Sequence, residues 1–406
     1  MYLKFMSEAP FSFPANPHTY LDQLGETGPP RQITLNGKEV WLLSRHADVR
    51  ACLADPRLSL PTVYAINSGQ EPPLAGLFRN TMLGSEPPEH TRLRRLISNA
   101  FTVRRVEALR PRVQAITDDL LDRIAPLGHA ELVHDLALPL PVLVTAELLG
   151  IPEADRLDFR LWSDTMLWPG DGPDPAGRAR EAGENLWRYI EKLTEDKREA
   201  PGDDLISALV SAGDEDRLSY QEVVATGRFM LVSGYETTAN LLGNAILALL
   251  LHPDQLALLR REPGLIKQAT EELLRYAGPG IINVRIAERE VRLGTAVIRP
   301  GQQVVMDLAA ANQDPAHFRD GSILDITRTP NPHLQFGHGI HHCLGAPLAR
   351  VEAQVAIGSV LRRFPDLGLA VDPGEIGYRQ HVFLHSLVEL PVRFGAAAAT
   401  LEAAIG

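Results

Sequence analysis

From about Ser219 to Leu250 the sequence reads as one long apolar helix. Its entry, Ser219-Tyr220-Gln221-Glu222, places a Ser and a Glu at capping-box spacing. A helix this apolar has to be covered by other apolar elements. The polar groups near its middle argue against a membrane span. Covering it takes a large buried core. The chain can supply that core, because 45% of its 406 residues are hydrophobic. Plentiful Gly and Pro add loops without giving the composition of a disordered chain.

Around this helix the pattern is mostly helical. Helices are expected over 46–54, 89–98, 102–125, 138–149, 204–210, 253–260, 265–276 and 344–363, and two more within 155–200 around a Pro/Gly-rich loop at 168–175. Strands are expected at Arg31–Leu35 and Val40–Leu43 with Asn36-Gly37 as their turn. Further strands are expected over 281–308, turning at Leu293-Gly294 and Pro300-Gly301, and near 367–370 and 381–394. The fold class is thus mainly α with small antiparallel β-sheets. Residues 1–30 read as loop and short helix, and Ser59 to about Glu86 as a long irregular connection. One domain is expected over 1–394, followed by an Ala-rich frayed tail at 395–406.

A net charge of -11 argues against broad nucleic-acid binding. Two cysteines, Cys52 and Cys343, are too few for a disulfide framework, and the first residues carry no long apolar h-region. These features point to a soluble, cytoplasmic protein that binds neither membrane nor nucleic acid.

Cys343 lies in Phe336-Gly337-His338-Gly339-Ile340-His341-His342-Cys343-Leu344-Gly345, directly before the helix expected from Leu344. The glycines allow turns and close approach, and helix-start amides favour a thiolate. Three readings remain open on these residues alone. The thiol is a buried structural cysteine, a zinc ligand with His338, His341 or His342, or a single thiolate ligand to a flat cofactor such as haem.

Within the long helix, Glu236 and Thr237 are costly unless they contact something polar, although a Thr hydroxyl can satisfy itself on the preceding turn. Gly234 suggests a close approach or a bulge. Glu272 and Arg275 stand three apart on one helix face, worth a few tenths of a kcal/mol if exposed.

Taken together, these segments resemble the cytochrome P450 family, specifically its soluble bacterial type. Phe336, Gly337, Gly339, His341, Cys343 and Gly345 match its cysteine signature. Ser233-Gly234-Tyr235-Glu236-Thr237 is similar to its oxygen-binding helix, with Ser233 where Ala or Gly is usual and Tyr235 where His or Asp is common. Glu272-Leu273-Leu274-Arg275 with Arg328 matches its structural brace, and the stretch from Ala311 to Pro315 with Phe318 also fits.

The resemblance implies a triangular prism-like single unit with the long central helix over haem b. Cys343 would be the axial iron ligand, with Phe336, His341 and Gly345 in the cofactor loop. His90, Arg94, Arg285 and His333 would contact the haem propionates. Glu236 and Thr237 would deliver protons while dioxygen is activated for hydroxylation or epoxidation of an apolar small molecule, a secondary metabolite by family analogy. Pocket candidates are Met82, Met230, Ser233, Ile282, Asn283, Val284, Leu384 and His385, with Thr81 beside Met82 and Tyr235, Asn283 and His385 as polar contacts. His385-Ser386 replaces a frequent Arg-Gly. The resemblance further implies a monomer supplied with electrons by a separate ferredoxin and ferredoxin reductase, with Arg92, Arg95, Arg104, Arg105 and Arg350 as a docking patch. The competing functions are oxidative coupling or cyclisation without oxygen insertion, a peroxide-driven enzyme, and a non-enzymatic haem sensor or carrier.

Overall fold

The structure, a computed structural model, describes residues 27–35, 38–60, 79–167, 173–211, 218–379 and 384–395. The expected Asn36-Gly37 turn, the Ala-rich tail beyond Gly395, most of the irregular stretch 61–85 and part of the loop at 168–175 lie outside the described residues, as does most of 1–30.

Thirteen α-helices are described: α1 His46–Leu53, α2 Glu89–Ala100, α3 Val103–Ala108, α4 Arg110–Ile124, α5 Pro139–Leu149, α6 Arg156–Leu167, α7 Pro175–Glu199, α8 Leu205–Ser211, α9 Tyr220–Leu251, α10 Pro253–Arg261, α11 Ile266–Ala277, α12 Leu308–Ala311 and α13 Ala346–Arg363. The single helix expected over 102–125 is two. Thr102 caps α3 through its side chain, and the chain restarts after Leu109 with Pro111 in the first turn of α4. Proline has no N–H to continue the ladder of α3 but is tolerated in a first turn.

The long helix α9 begins where the capping box places it. The Ser219 side chain accepts from the Glu222 N–H, and the Glu222 carboxylate accepts from the Ser219 N–H at 2.6 Å. From Tyr235 onward nearly all of α9 is buried, packed against α5, α7, α11 and α13. No single described helix is long and apolar enough to cross a membrane; only α9 with α10, bent by 103° between them, passes that test jointly. Gly234 marks neither a bulge nor a tight crossing. The helix is continuous there, and an added Cβ would meet only Thr145 Oγ1 at 3.8 Å.

Ten short strands form three small sheets. The largest joins β1 Arg31–Leu35, β2 Lys38–Leu43, β3 Leu58–Ser59, β5 Ile282–Ala287 and β8 Gln303–Asp307 in the order β1-β2-β8-β5-β3. Its pairs are antiparallel except β2 with β8, which run parallel with Trp41 opposite Val304. Nearly the whole helical body lies between those two strands in sequence, so a long crossover makes the parallel pair possible. A second sheet pairs β4 His129–Glu131 with β10 Pro391–Arg393 and β9 Gly368–Leu369. The third is the hairpin β6 Val291–Leu293 with β7 Ala296–Ile298, turning at Gly294, whose φ of +57° suits glycine.

The helices share one large core, while two smaller clusters sit against the first sheet. Cys52 belongs to one of these, where burial pushes its thiol up to about 12.

A buried ionic brace ties α11 to the loop ahead of Cys343. Glu272 and Arg275 are both fully buried, so the pair is far from the weak surface contact its spacing suggests. Glu272 accepts from Arg275 at 2.7 and 2.8 Å, from Arg328 at 3.1 Å, from Asn331 at 3.0 Å and from the Asp325 N–H at 2.9 Å. Arg275 in turn donates to the Asn312 carbonyl at 2.8 Å, and its guanidinium lies 5.4 Å from the Phe318 ring centre. Removing one partner strands a buried charge, which costs about 3–5 kcal/mol. Glu272→Ala is therefore expected to lower the urea unfolding midpoint steeply, whereas substitution of the exposed Glu290 should leave it nearly unchanged.

Candidate active site

The Cys343 loop is a tight reversal. Gly337 and Gly339 have φ of +72° and +76°, and the Cys343 N–H donates to the Phe336 carbonyl at 2.9 Å. Gly339 is required twice over, since a Cβ there would stand 2.8 Å from Ala54 Cα. Helix α13 starts at Ala346, two residues later than the sequence suggests. Its first amides still reach the thiol, because the Gly345 and Ala346 N–H groups both favour the thiolate. The expected lowering of the thiol is nevertheless reversed. Burial pushes Cys343 up, outweighing these amides and the nearby Arg94 and Arg350. The sulfur-bearing residue is at the same time exposed by its accessible surface.

Beside it stands a group of cations and imidazoles. The rings of His90 and His341 meet edge to face with centres 4.6 Å apart. Burial, with His90, Arg285 and Arg94 adding to it, holds His341 neutral with a pKa of about 3. Arg285 is 3% exposed, and burial lowers it to about 10. It donates to Asn283 Oδ1 and to the Val284 carbonyl. Both ring nitrogens of the buried His90 lack a hydrogen-bond partner, and no described carboxylate forms an ion pair with Arg94. These four groups, brought together from α2, β5 and the cysteine loop with Glu86 as an acidic neighbour of Arg285, could donate to an anion. Among the described residues no three His, Cys, Asp or Glu side chains converge as metal ligands, so His338, His341, His342 and Cys343 do not form a zinc set.

On α9, Glu236 is 6% exposed, and burial raises its pKa to about 7, with Arg379 pulling the other way. Thr237 donates its hydroxyl to the Ser233 carbonyl at 2.8 Å, and the exposed Ser233 donates to the Phe229 carbonyl at 2.7 Å. The helix that follows Cys343 packs directly on α9.

A family model described as Cytochrome P450 matches residues 176–365. The chain is 44% identical to cytochrome P450 monooxygenase PikC of Streptomyces venezuelae, covering 94% of this chain and 92% of that protein. It is 39% identical to 6-deoxyerythronolide B hydroxylase of Saccharopolyspora erythraea, covering 91% and 94%. The chain belongs to the cytochrome P450 family. The fold agrees: the structure of a single-residue mutant of the mixed-function P450 MycG in complex with mycinamicin IV superposes with a TM-score of 0.85 at 38% identity, covering 95% of this chain and all of that one. The chain is thus a P450 monooxygenase, of a family that uses haem–thiolate and dioxygen.

The residues fit that group. The orphaned His90 nitrogens with Arg94 and Arg285 suit the anionic edge of a haem, and Cys343 offers an accessible thiol beside them. His333 has a partner of its own. Its Nε2 lies 3.3 Å from Glu271 Oε2, and Glu271 also pairs with Arg350. Nothing in the sequence singled out Glu271, because its partners are supplied by segments far along the chain.

The docking patch is also altered. Arg92 pairs with Glu89 and Glu222, Arg105 with Asp203 and Arg350 with Glu271, so at least three of the five cations are engaged within the P450 itself.

Among the pocket candidates, Met82 and its neighbour Thr81 are buried and Met230 is half-buried, with both methionines packed in the large core. Alternation along β5 divides the next three: Ile282 and Val284 pack into the small cluster on one face of the sheet, while Asn283 shares the face of Arg285. Leu384 bridges to Gly280, and His385 is buried and stacked on Tyr378 with ring centres 4.1 Å apart. Tyr235, expected as a polar pocket contact, is 1% exposed and donates to Asp164 on α6 at 2.7 Å. Of these candidates Ser233 is the most open to solvent.

Two outcomes follow. Glu236 has a folded pKa near 7 against an ordinary 4.5, so between those values the folded protein binds more protons than the unfolded one. Its stability therefore falls as pH rises through that window. Glu236→Gln is expected to melt increasingly above the wild type from pH 5 to pH 8, a gap that thermal midpoints at the two pH values would reveal. Arg94→Gln should speed haem loss severalfold, as measured by transfer to apomyoglobin.

Proposed function

We propose that this chain holds haem b through Cys343 and hydroxylates or epoxidises an apolar secondary metabolite of small to medium size. The observation that carries this reading is the accessible Cys343 thiol beside the anion-seeking group of His90, Arg94, Arg285 and His341. Relatives named for acting on 6-deoxyerythronolide B and crystallised with mycinamicin IV support a substrate of that class. Residues 1–394 act as one P450 domain.

Bound haem supplies the activation of dioxygen, with an electron-rich thiolate favouring O–O cleavage. Cys343 would give the sulfur, and coordination to a metal cation would favour loss of the thiol proton to solvent despite the burial that otherwise keeps it neutral. The Gly345 and Ala346 amides stabilise the resulting charge. His90, Arg94 and Arg285 orient the cofactor edge as donors, with His333 a further candidate contact.

Glu236 is the proton reservoir. With a pKa of about 7 it can release and regain a proton at neutral pH, the condition under which acid–base transfer is most effective. The Thr237 hydroxyl has its proton committed to the Ser233 carbonyl, which leaves the oxygen turned outward as an acceptor. Ser233 adds a hydroxyl where the family usually has none, next to the same turn. Glu236 and Thr237 are the residues we assign to proton delivery.

Electrons come from a separate ferredoxin and its reductase, and the protein works as a cytoplasmic monomer. The lack of a single described spanning helix and two cysteines without a disulfide accord with that location.

The purified protein is expected to show the carbon monoxide difference band of thiolate-ligated haem, and Cys343→Ala to lose it. Reconstituted with ferredoxin, reductase and 6-deoxyerythronolide B or mycinamicin IV as probes under labelled dioxygen, it should form a product heavier by one labelled oxygen atom. A product lighter by two hydrogens, or a dimer, would establish coupling chemistry instead. Thr237→Val should divert a larger share of reductant consumption into hydrogen peroxide.

A further inference from the structure

We propose that Arg350, clamped by Glu271 and stacked on Phe336, is a positioning residue that sets the reduction potential of the thiolate-bound iron. Glu271 governs how much of that charge the site feels. The inference rests on the reading of Cys343 as the haem ligand.

The geometry is a stack of four groups drawn from three segments. Glu271 on α11 and Arg350 on α13 form a two-pronged pair, with Arg350 Nε 2.7 Å from Oε1 and Nη2 2.8 Å from Oε2. Such a fork fixes the plane of the guanidinium as well as its position. That plane lies against Phe336, with the guanidinium carbon 4.6 Å from the ring centre. The Phe336 carbonyl accepts the Cys343 N–H at 2.9 Å. A cation is thus held against the cysteine loop, and its charge favours the thiolate form of Cys343.

The anion of the pair is held by His333 as well as by the cation. Burial acts against ionisation of Glu271, but the hydrogen bonds and charges of His333 and Arg350 outweigh it and hold the carboxyl at about 2. Glu271 therefore stays charged throughout the working pH range. The positive member of the pair lies against Phe336 and acts on Cys343. About a third of each side chain is exposed, so solvent weakens the field without cancelling it.

Reduction of the iron adds one electron and makes the site more negative by one charge. A fixed cation nearby favours that state and a fixed anion opposes it. The two members of the pair should therefore act with opposite signs. A brace that worked through packing alone would not make this distinction, because removing either member breaks the same contact.

The test is a spectroelectrochemical titration of the full-length haem-loaded protein at fixed pH and ionic strength, comparing wild type with R350Q, R350K and E271Q. R350Q leaves the anion alone and should lower the one-electron reduction constant roughly tenfold, or about 59 mV. E271Q leaves the cation alone and should shift the potential upward. R350K keeps the charge and should stay close to wild type. Shifts of the same sign in R350Q and E271Q, or no shift in either, would overturn the proposal. If R350Q fails to retain haem, E271Q and R350K decide, and an E271Q potential at or below wild type counts against it. The carbon monoxide spectrum of the wild type separates the two levels. Without a thiolate band the ligand reading itself falls, whereas a normal band with same-sign shifts removes only the role of the pair.

Discussion

Glu272 gathers two guanidiniums, an amide side chain and a backbone N–H around one fully buried carboxylate, and the cysteine loop depends on that point. Through Arg275 it holds the Asn312 carbonyl, and the Asn312 side chain accepts the Leu334 N–H at 2.7 Å, two residues ahead of Phe336. A loop rich in glycine would otherwise carry a large conformational entropy. Charge buried in good geometry is costly to disturb, so the brace gives the loop a reference against the helical core.

The two sides of the site use burial in opposite ways. Near the sulfur, burial resists ionisation of Cys343 and lowers the pKa values of His90, His341, Arg94 and Arg285. Charge of the opposite sign relieves that cost, which is why the same residues fit an anionic cofactor edge and a metal. On α9, burial works on a single acid and brings Glu236 to a pKa at which a proton can move in either direction. Tyr235, next to it, is spent on anchoring α9 to α6 through Asp164, a partner that its position in the motif does not reveal.

Local features were legible in the residues. The Ser219–Glu222 box started α9 where it was read, and the glycines at 337 and 339 adopt the left-handed backbone expected of such a loop. Where reading failed, a competing local rule or a distant partner was responsible. Pro111 divided the helix at 102–125. The Glu272–Arg275–Arg328 brace was legible only through the family motif, because spacing by itself carries no information about burial.

The sequence by itself determined the helix-rich architecture, the thiol loop, the acid–hydroxyl pair of α9 and the family to which they belong. These depend on periodicity, capping and short motifs, all of which are local in the chain. Tertiary structure decided which charges meet and which protonation states hold. Arg350 met Glu271 instead of standing free, the Cys343 thiol rose instead of falling, and Glu236 moved to about 7. Those outcomes depend on desolvation and on partners tens of residues away, and both come into being only when the chain has folded.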